Sequence, residues 1–197
     1  MDPRSLVRLA AAAYPVEALP DWVALEAKLT SWVLDAVGQG AEIAVFPEYA
    51  AVEAALVGGA QAEDWLVAAA EAAPRYQAFV DGLAKAHGLV ILSGSGPAWD
   101  GDRLVNRAWL CPAHGDPIPV DKMCLTPWER ANTALTPGAA PLVCDSAWGR
   151  LAVVICYDSE FPGLSRSLLP DILLIPACTD ALSGQTRVRL GAQARAL

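Results

Sequence analysis

The sequence predicts an α/β protein whose sheet is covered by helices. Two observations carry that prediction. Short apolar runs of strand length alternate along the chain with longer segments whose apolar residues recur at helical spacing. The chain also has material for a sizeable core: 197 residues, 54% hydrophobic and 18% charged. That is too apolar and too weakly charged for a disordered chain, and long enough to fold without disulfides.

Leu6 to Ala13 is expected to form a buried strand. Asp21 stands as the N-cap of a first helix. Trp22, Leu25, Leu29, Trp32, Val33 and Ala36 follow at helical spacing, and Gly38 is placed to end it. Ile43 to Phe46 is a short strand stopped by Pro47. An alanine-rich helical region covers Ala62 to Ala73 and Tyr76 to His87, with a break expected at Pro74. Gly88 closes it before a strand from Leu89 to Leu92. Beyond Gly94, strand-like pieces (Leu104 to Cys111, Leu142 to Cys144, Leu151 to Ile155, Ile172 to Ile175) alternate with loops rich in proline and glycine. One short helix is expected over Gly163 to Leu169 and a last one over Thr186 to Leu197. That last helix meets no capping residue. The expectation is therefore one domain, 1–197, cut short at its C-terminal end.

Composition excludes several functions. Fourteen Lys and Arg stand against 22 Asp and Glu, a net charge of −8. A nucleic-acid binder needs a basic patch to neutralise phosphates, so none is expected as partner. The best apolar run, Leu9 to Leu19, contains Tyr14, Pro15 and Glu17; it is too short for a bilayer and too broken for a signal peptide, so no membrane role is expected. The five cysteines, Cys111, Cys124, Cys144, Cys156 and Cys178, form no CxxC pair. Neither a zinc site nor a disulfide framework is suggested, and a reducing, cytoplasmic setting is expected.

Three segments place a reactive side chain at the end of an apolar run. In Ile43-Ala44-Val45-Phe46-Pro47-Glu48-Tyr49, Glu48 sits at a strand's carboxyl end, where α/β proteins build sites. Partial burial would raise its pKa and suit it to act as a base, whereas an ordinary loop glutamate would be exposed. In Val120-Asp121-Lys122-Met123-Cys124-Leu125-Thr126-Pro127-Trp128-Glu129-Arg130, Lys122 is a candidate for stabilising an oxyanion, held in place by Glu129; the bland alternative is a surface ion pair. In Leu151-Ala152-Val153-Val154-Ile155-Cys156-Tyr157-Asp158, a cysteine ends the strand and a polar turn follows. Such a thiol is either an attacking nucleophile or a small buried hydrophobe. A thiol nucleophile needs a base. The two histidines, His87 at a helix end and His114 in a turn, are one source, and a carboxylate assisted by a lysine is the other.

Together these segments resemble the nitrilase superfamily of carbon–nitrogen hydrolases. Phe46-Pro47-Glu48 looks like the family's glutamate motif, Asp121-Lys122 like its lysine motif, and Ile155-Cys156-Tyr157-Asp158 with Phe161-Pro162 like its nucleophile motif. The order matches, as do the wide separations of 74 and 34 positions. The resemblance runs from about Leu6 to the last residue. Gln193-Ala194-Arg195-Ala196-Leu197 looks like the helix that leads into the family's final third.

The resemblance implies a four-layer αββα sandwich of two stacked mixed sheets. It implies Glu48 as general base, Cys156 as nucleophile, and an oxyanion hole made by Lys122 and the backbone N–H of Tyr157, with Glu129 orienting the lysine. Tyr49, Trp128 and Phe161 are candidates for lining the substrate pocket. No metal or organic cofactor is implied; the partners are a small-molecule amide and a second copy of the chain, in a homodimer or higher homo-oligomer. Tyr157 and Asp158 after the cysteine resemble the amidase and carbamoylase branches, whereas nitrilases more often carry tryptophan there. A small linear amide or N-carbamoyl compound is thus the expected substrate. The competing expectation is an inert fragment, or a binding and assembly module, of the same fold. A third is a Cys–His enzyme that uses His87 or His114.

Overall fold

The computed structural model of the protein describes residues 6–59, 64–166 and 168–196. Five strands form one sheet in the spatial order β1 (Leu9–Ala11), β2 (Ile43–Val45), β3 (Val90–Asp100), β4 (Arg103–Cys111) and β5 (Ile118–Asp121). The first three run parallel; β4 and β5 each reverse direction. A second sheet holds β6 (Leu142–Ser146) antiparallel to β7 (Gly149–Val153), which lies parallel to β8 (Ile172–Leu174). Both sheets are therefore mixed. The helices are α1 (Trp22–Gly38), α2 (Trp65–His87), α3 (Pro127–Asn132), α4 (Pro162–Arg166) and α5 (Leu182–Arg195), with short 3-10 segments at Ala50–Gly59 and Cys156–Glu160.

Alternation along each strand assigns the layers. Ala44 and Ile91 face α1 and α2, packing with Leu25, Leu29, Val33, Tyr76, Val80 and Leu83. Their neighbours Ile43 and Leu92 point the other way. With Ala108, Leu110 and Val120, they meet Leu151, Val153, Ile155 and Leu174 of the second sheet. The outer face of that second sheet carries Ala152 and Val154, which pack on Leu168 just after α4. The result is the expected αββα layering.

Several elements differ from expectation. The first strand is three residues long, at the sheet's edge. Asp21 caps α1 by accepting from the N–H of Ala24 (2.8 Å). The helix ends at Gly38 as expected, and the left-handed residue that turns the chain afterwards is Gly40. The expected start at Ala62 lies outside the described residues; α2 begins at Trp65 behind the cap Asp64 and runs unbroken through Pro74. A proline inside a helix costs ~3 kcal/mol or more. Pro74 lies on the exposed side, while buried Leu66, Ala69, Ala70 and Ala73 before it and Tyr76, Val80, Leu83 and Ala84 after it hold the helix to the sheet. Gly88 caps α2 in the left-handed conformation, as expected.

The strand expected to end at Leu92 continues to Asp100 through a bulge between Leu92 and Ser95. Gly94 makes the bulge possible: its φ is +75°, and a Cβ there would lie 2.6 Å from the Pro47 carbonyl oxygen. Two elements were not anticipated, β5 and α3. The last helix starts at Leu182, earlier than expected, and its expected end at Leu197 lies outside the described residues.

Candidate active site

Three carboxyl ends of strands converge. Glu48 lies three residues past β2, Lys122 directly follows β5 and Cys156 lies three residues past β7. Each strand carries buried apolar residues, Ile43 and Ala44 in β2, Val120 in β5 and Leu151 to Val153 in β7, which fix its place between the layers and so bring the polar residue past its end to the rim of the sheets. Pro47 ends β2, and Tyr49, held at φ 62°, turns the chain into the 3-10 segment. Cys156 sits at the strand-to-3-10 turn with φ 46°, a left-handed conformation that costs a non-glycine residue about 1–3 kcal/mol. Its N–H donates to the Pro176 carbonyl (2.9 Å), its thiol points to the Cys178 carbonyl (3.7 Å), and its own carbonyl accepts from Ser159 Oγ (2.7 Å). The segment after β8 thus latches the strained residue in place.

Lys122 is the hub. Its Nζ lies 2.7 Å from Glu48 Oε1, and 2.9 and 2.8 Å from the two carboxylate oxygens of Glu129. Glu48 is 2% exposed, Lys122 1% and Glu129 2%. Glu48 also accepts from Asn106 Nδ2 (3.2 Å) on Oε1 and from the Cys178 N–H (3.0 Å) on Oε2. Glu129 is fixed by α3: Thr126 caps the helix, receives the Glu129 N–H (3.1 Å) and donates its own N–H to Glu129 Oε2 (2.7 Å), a complete capping box. Tyr49 donates its hydroxyl to Glu129 Oε1 (2.5 Å).

Burial and charge compete here. Burial lifts the Glu48 pKa above its ordinary value, although Lys122 pulls against it. For Glu129 burial acts the same way, but the charge and hydrogen bonds of Lys122, with Tyr49 and Thr126, outweigh it and hold its carboxyl below the usual range. Lys122 has a raised pKa, because its two carboxylate partners overcome its desolvation. The Cys156 thiol is also raised, by burial and by the facing Glu48 carboxylate; Lys122 lowers it but does not prevail. Burial and Glu48 thus favour the neutral thiol at rest, while Lys122 is held as the ammonium and Glu129 as the carboxylate.

The lysine loop is tied directly to the cysteine turn. The Asp158 carboxylate accepts from the N–H groups of Ile155 (3.0 Å), Met123 (3.1 Å) and Cys124 (2.6 Å). The N–H of Tyr157 makes no hydrogen bond among the described residues. A cleft of about 380 Å³ opens beside Cys156, walled by Thr126, Pro127, Tyr157, Glu160, the Cys178–Asp180 stretch and the α5 residues Gly184, Arg187 and Val188.

Of the sequence-derived candidates, Glu48, Lys122, Glu129, Cys156 and Tyr157 come together. Tyr49 abuts the cluster through Glu129, with its ring edge-on to Trp65. Trp128 stands 57% exposed on α3, and Phe161 packs edge-on against Tyr157; neither is part of the cleft wall. The carboxylate facing Cys156 is that of Glu48, while His87 ends α2 and His114 lies in the turn after β4. Asn106 and the Cys178 N–H were missed. Asn106 carried a signal, a polar residue inside the apolar run Leu104 to Cys111; a backbone donor carries none. Among the described residues, no group of three His, Cys, Asp or Glu side chains is placed to hold a metal ion.

Comparison with known proteins agrees with the motif resemblance. A family model described as carbon-nitrogen hydrolase matches residues 8–197. A deaminated glutathione amidase from Synechocystis is 30% identical over 178 residues, 82% of this chain and 63% of that protein. A probable hydrolase from Bacillus subtilis is 34% identical over 118 residues, 58% of this chain and 23% of that protein. The chain thus spans less than two thirds of the length of these relatives. Among solved structures, an amidase from Nesterenkonia superposes with a TM-score of 0.76 at 23% identity, covering 97% of this chain and 74% of that one. A nitrilase-superfamily member from Saccharomyces cerevisiae does so with 0.69 at 20% identity, covering 97% and 69%.

Proposed function

The chain belongs to the carbon–nitrogen hydrolase family, and on that premise we propose that it hydrolyses a small linear amide or N-carbamoyl compound through a thioester on Cys156. The observation that supports this most is the buried Glu48–Lys122–Glu129 cluster set against a strained cysteine. Amidases among the relatives and structural neighbours favour amides over nitriles.

Glu48 takes the thiol proton as Sγ attacks the amide carbon. The oxyanion forms between the Lys122 ammonium and the Tyr157 N–H; one such donor is worth ~3–4 kcal/mol of barrier. Lys122 spends two contacts on the two oxygens of one carboxylate. Letting go of one Glu129 oxygen frees an N–H without breaking the ion pair. Glu48, now protonated, delivers its proton to the departing amine. It then deprotonates the water that opens the thioester and releases the acid. Residues 1–197 act as part of a single hydrolase domain, in the cytoplasm and as a homodimer. Five free thiols support a reducing compartment, and no helix among the described residues is long and apolar enough to cross a membrane.

Ammonia release from an amide panel tests the reading. Cys156→Ala, Glu48→Gln and Lys122→Ala each abolish turnover. Near wild-type turnover in any one of them refutes it. Sedimentation of the purified protein as a stable monomer refutes the dimer.

A further inference from the structure

The walls of the cleft carry their own charges, distinct from the catalytic cluster. Glu160 and Arg187 face each other, with Arg187 Nε 3.2 Å from Glu160 Oε2 and 3.3 Å from Oε1. Asp180 lines the same cleft and forms no ion pair among the described residues. Its carboxylate is close enough to push up the pKa of the neighbouring Cys178 thiol, along with burial, which contributes most, and Glu48. The cleft wall therefore holds two carboxylates and one guanidinium, a net of one negative charge, while the buried Glu48, Lys122 and Glu129 are not among its lining side chains. Swinging Arg187 off Glu160 would not change that sum; it would offer a cation to a ligand only by leaving another carboxylate bare.

We propose that this cleft selects substrate by charge, accepting neutral and cationic amides and rejecting anionic ones, with Asp180 as the residue that sets the preference. The proposal rests on reading the cleft beside Cys156 as the active site. An amide with an ammonium group a few atoms beyond its carbonyl would meet Asp180 while its carbonyl lies at Cys156. A carboxylate in that position would meet Asp180 as a like charge, in a wall whose net charge is already negative.

The test needs no substrate. Cys156 is labelled with three methanethiosulfonates sharing one reactive group: a neutral methyl, a trimethylammonium-ethyl and a sulfonatoethyl reagent. Each rate is read by peptide mass spectrometry, which separates Cys156 from Cys178, and is normalised to the same reagent's rate with 2-mercaptoethanol. At low salt the normalised cation-to-anion ratio should be on the order of tenfold, the scale of two exposed charge interactions. It should approach one at 1 M salt, where the screening length falls to about 3 Å. Asp180→Asn should cut it about two- to fivefold. A ratio near one or below it at low salt overturns the proposal, as does a ratio unchanged by Asp180→Asn. The failure of the functional reading is separate: no ammonia from neutral, cationic or anionic amides would defeat hydrolysis, while the labelling ratio would still judge the charge selection.

Discussion

Lys122→Met removes one charge and little volume, and the structure says what that should cost. In the wild-type protein Nζ sits within 2.7–2.9 Å of three carboxylate oxygens, and all three side chains are almost fully buried. Methionine keeps an unbranched apolar stem but leaves Glu48 and Glu129 facing each other with no counter-charge. Removing one partner of a buried pair costs about 3–5 kcal/mol. The loss has a definite pH dependence. In the variant, burial and mutual repulsion raise both folded-state pKa values above their unfolded ones. Stability is then fully present below the ordinary carboxylate range and falls as pH rises through the raised values, by about 1.4 kcal/mol per pH unit for each proton released. Wild-type Glu129 has the opposite sign: its lowered pKa contributes stability at neutral pH that is lost as pH falls through that lowered value. Urea unfolding followed by fluorescence of the seven tryptophans, from pH 8 down to pH 5, should show a gap of about 3–5 kcal/mol at pH 7 that narrows on acidification. A gap under ~1 kcal/mol at pH 7, or one that does not shrink toward pH 5, would refute the account of a hub holding two buried carboxylates.

Three further outcomes follow from the same geometry. The acid limb of kcat/KM for amide hydrolysis should lie above the ordinary glutamate value, because burial raises Glu48 and its protonated form cannot take the thiol proton; a limb at or below ~4.3 counts against Glu48 as the base. Gly94→Ala should destabilise the fold by about 3 kcal/mol or more, combining left-handed strain with overpacking against Pro47 and Ala50; thermal unfolding within a degree or two of wild type would contradict the bulge's role. Asp158→Ala strands three backbone donors, at Ile155, Met123 and Cys124, and should cost about 3 kcal/mol and depress kcat more than it raises KM; an unchanged kcat would show that this carboxylate does not fix the lysine loop to the cysteine turn.

What was legible in the sequence was what local chemistry dictates. Asp21 as a cap, Gly88 as a left-handed stop and the buried runs around Ile43 and Leu151 all depend on residues within a few positions of each other. The elements that were misjudged depend on distant neighbours. Pro74 breaks a helix in isolation, but here eight buried side chains, four on each side of it, pin the helix to the sheet. The strand through Gly94 looked finished because glycine is a turn signal in sequence, and only its φ of +75° beside the Pro47 carbonyl shows why glycine is needed. Helix α3 did carry a readable signal, the Thr126-to-Glu129 capping box with proline between, but it is too short to show apolar periodicity. At the site, the side chains on strand ends stood out; the Cys178 N–H, supplied by the backbone of a loop 130 positions from Glu48, had no local mark.

The topology explains why three such distant residues meet at all. Strand β2 is parallel to β3, β4 reverses, and β5 reverses again, so β5 regains the direction of β2 after two antiparallel steps. The residues that leave the carboxyl ends of β2 and β5 thus emerge on the same rim, and β4, running the other way between them, offers Asn106 from within its length. Had the chain made one reversal instead of two, Lys122 would lie at the opposite end of the sheet from Glu48. The cluster this creates is a poor device for stability, since desolvating three charges returns little net free energy. It is a good device for moving a charge. On the proposed route, negative charge passes from Glu48 to the thiolate and then to the oxyanion, while the cluster's total charge stays constant and the Lys122 ammonium remains beside each site in turn. No step needs a new charge to be solvated, which is the advantage of assembling the countercharge before the reaction begins. The desolvation cost of the buried cluster and the backbone strain at Cys156 are, on this account, borne by the packing of the two sheets.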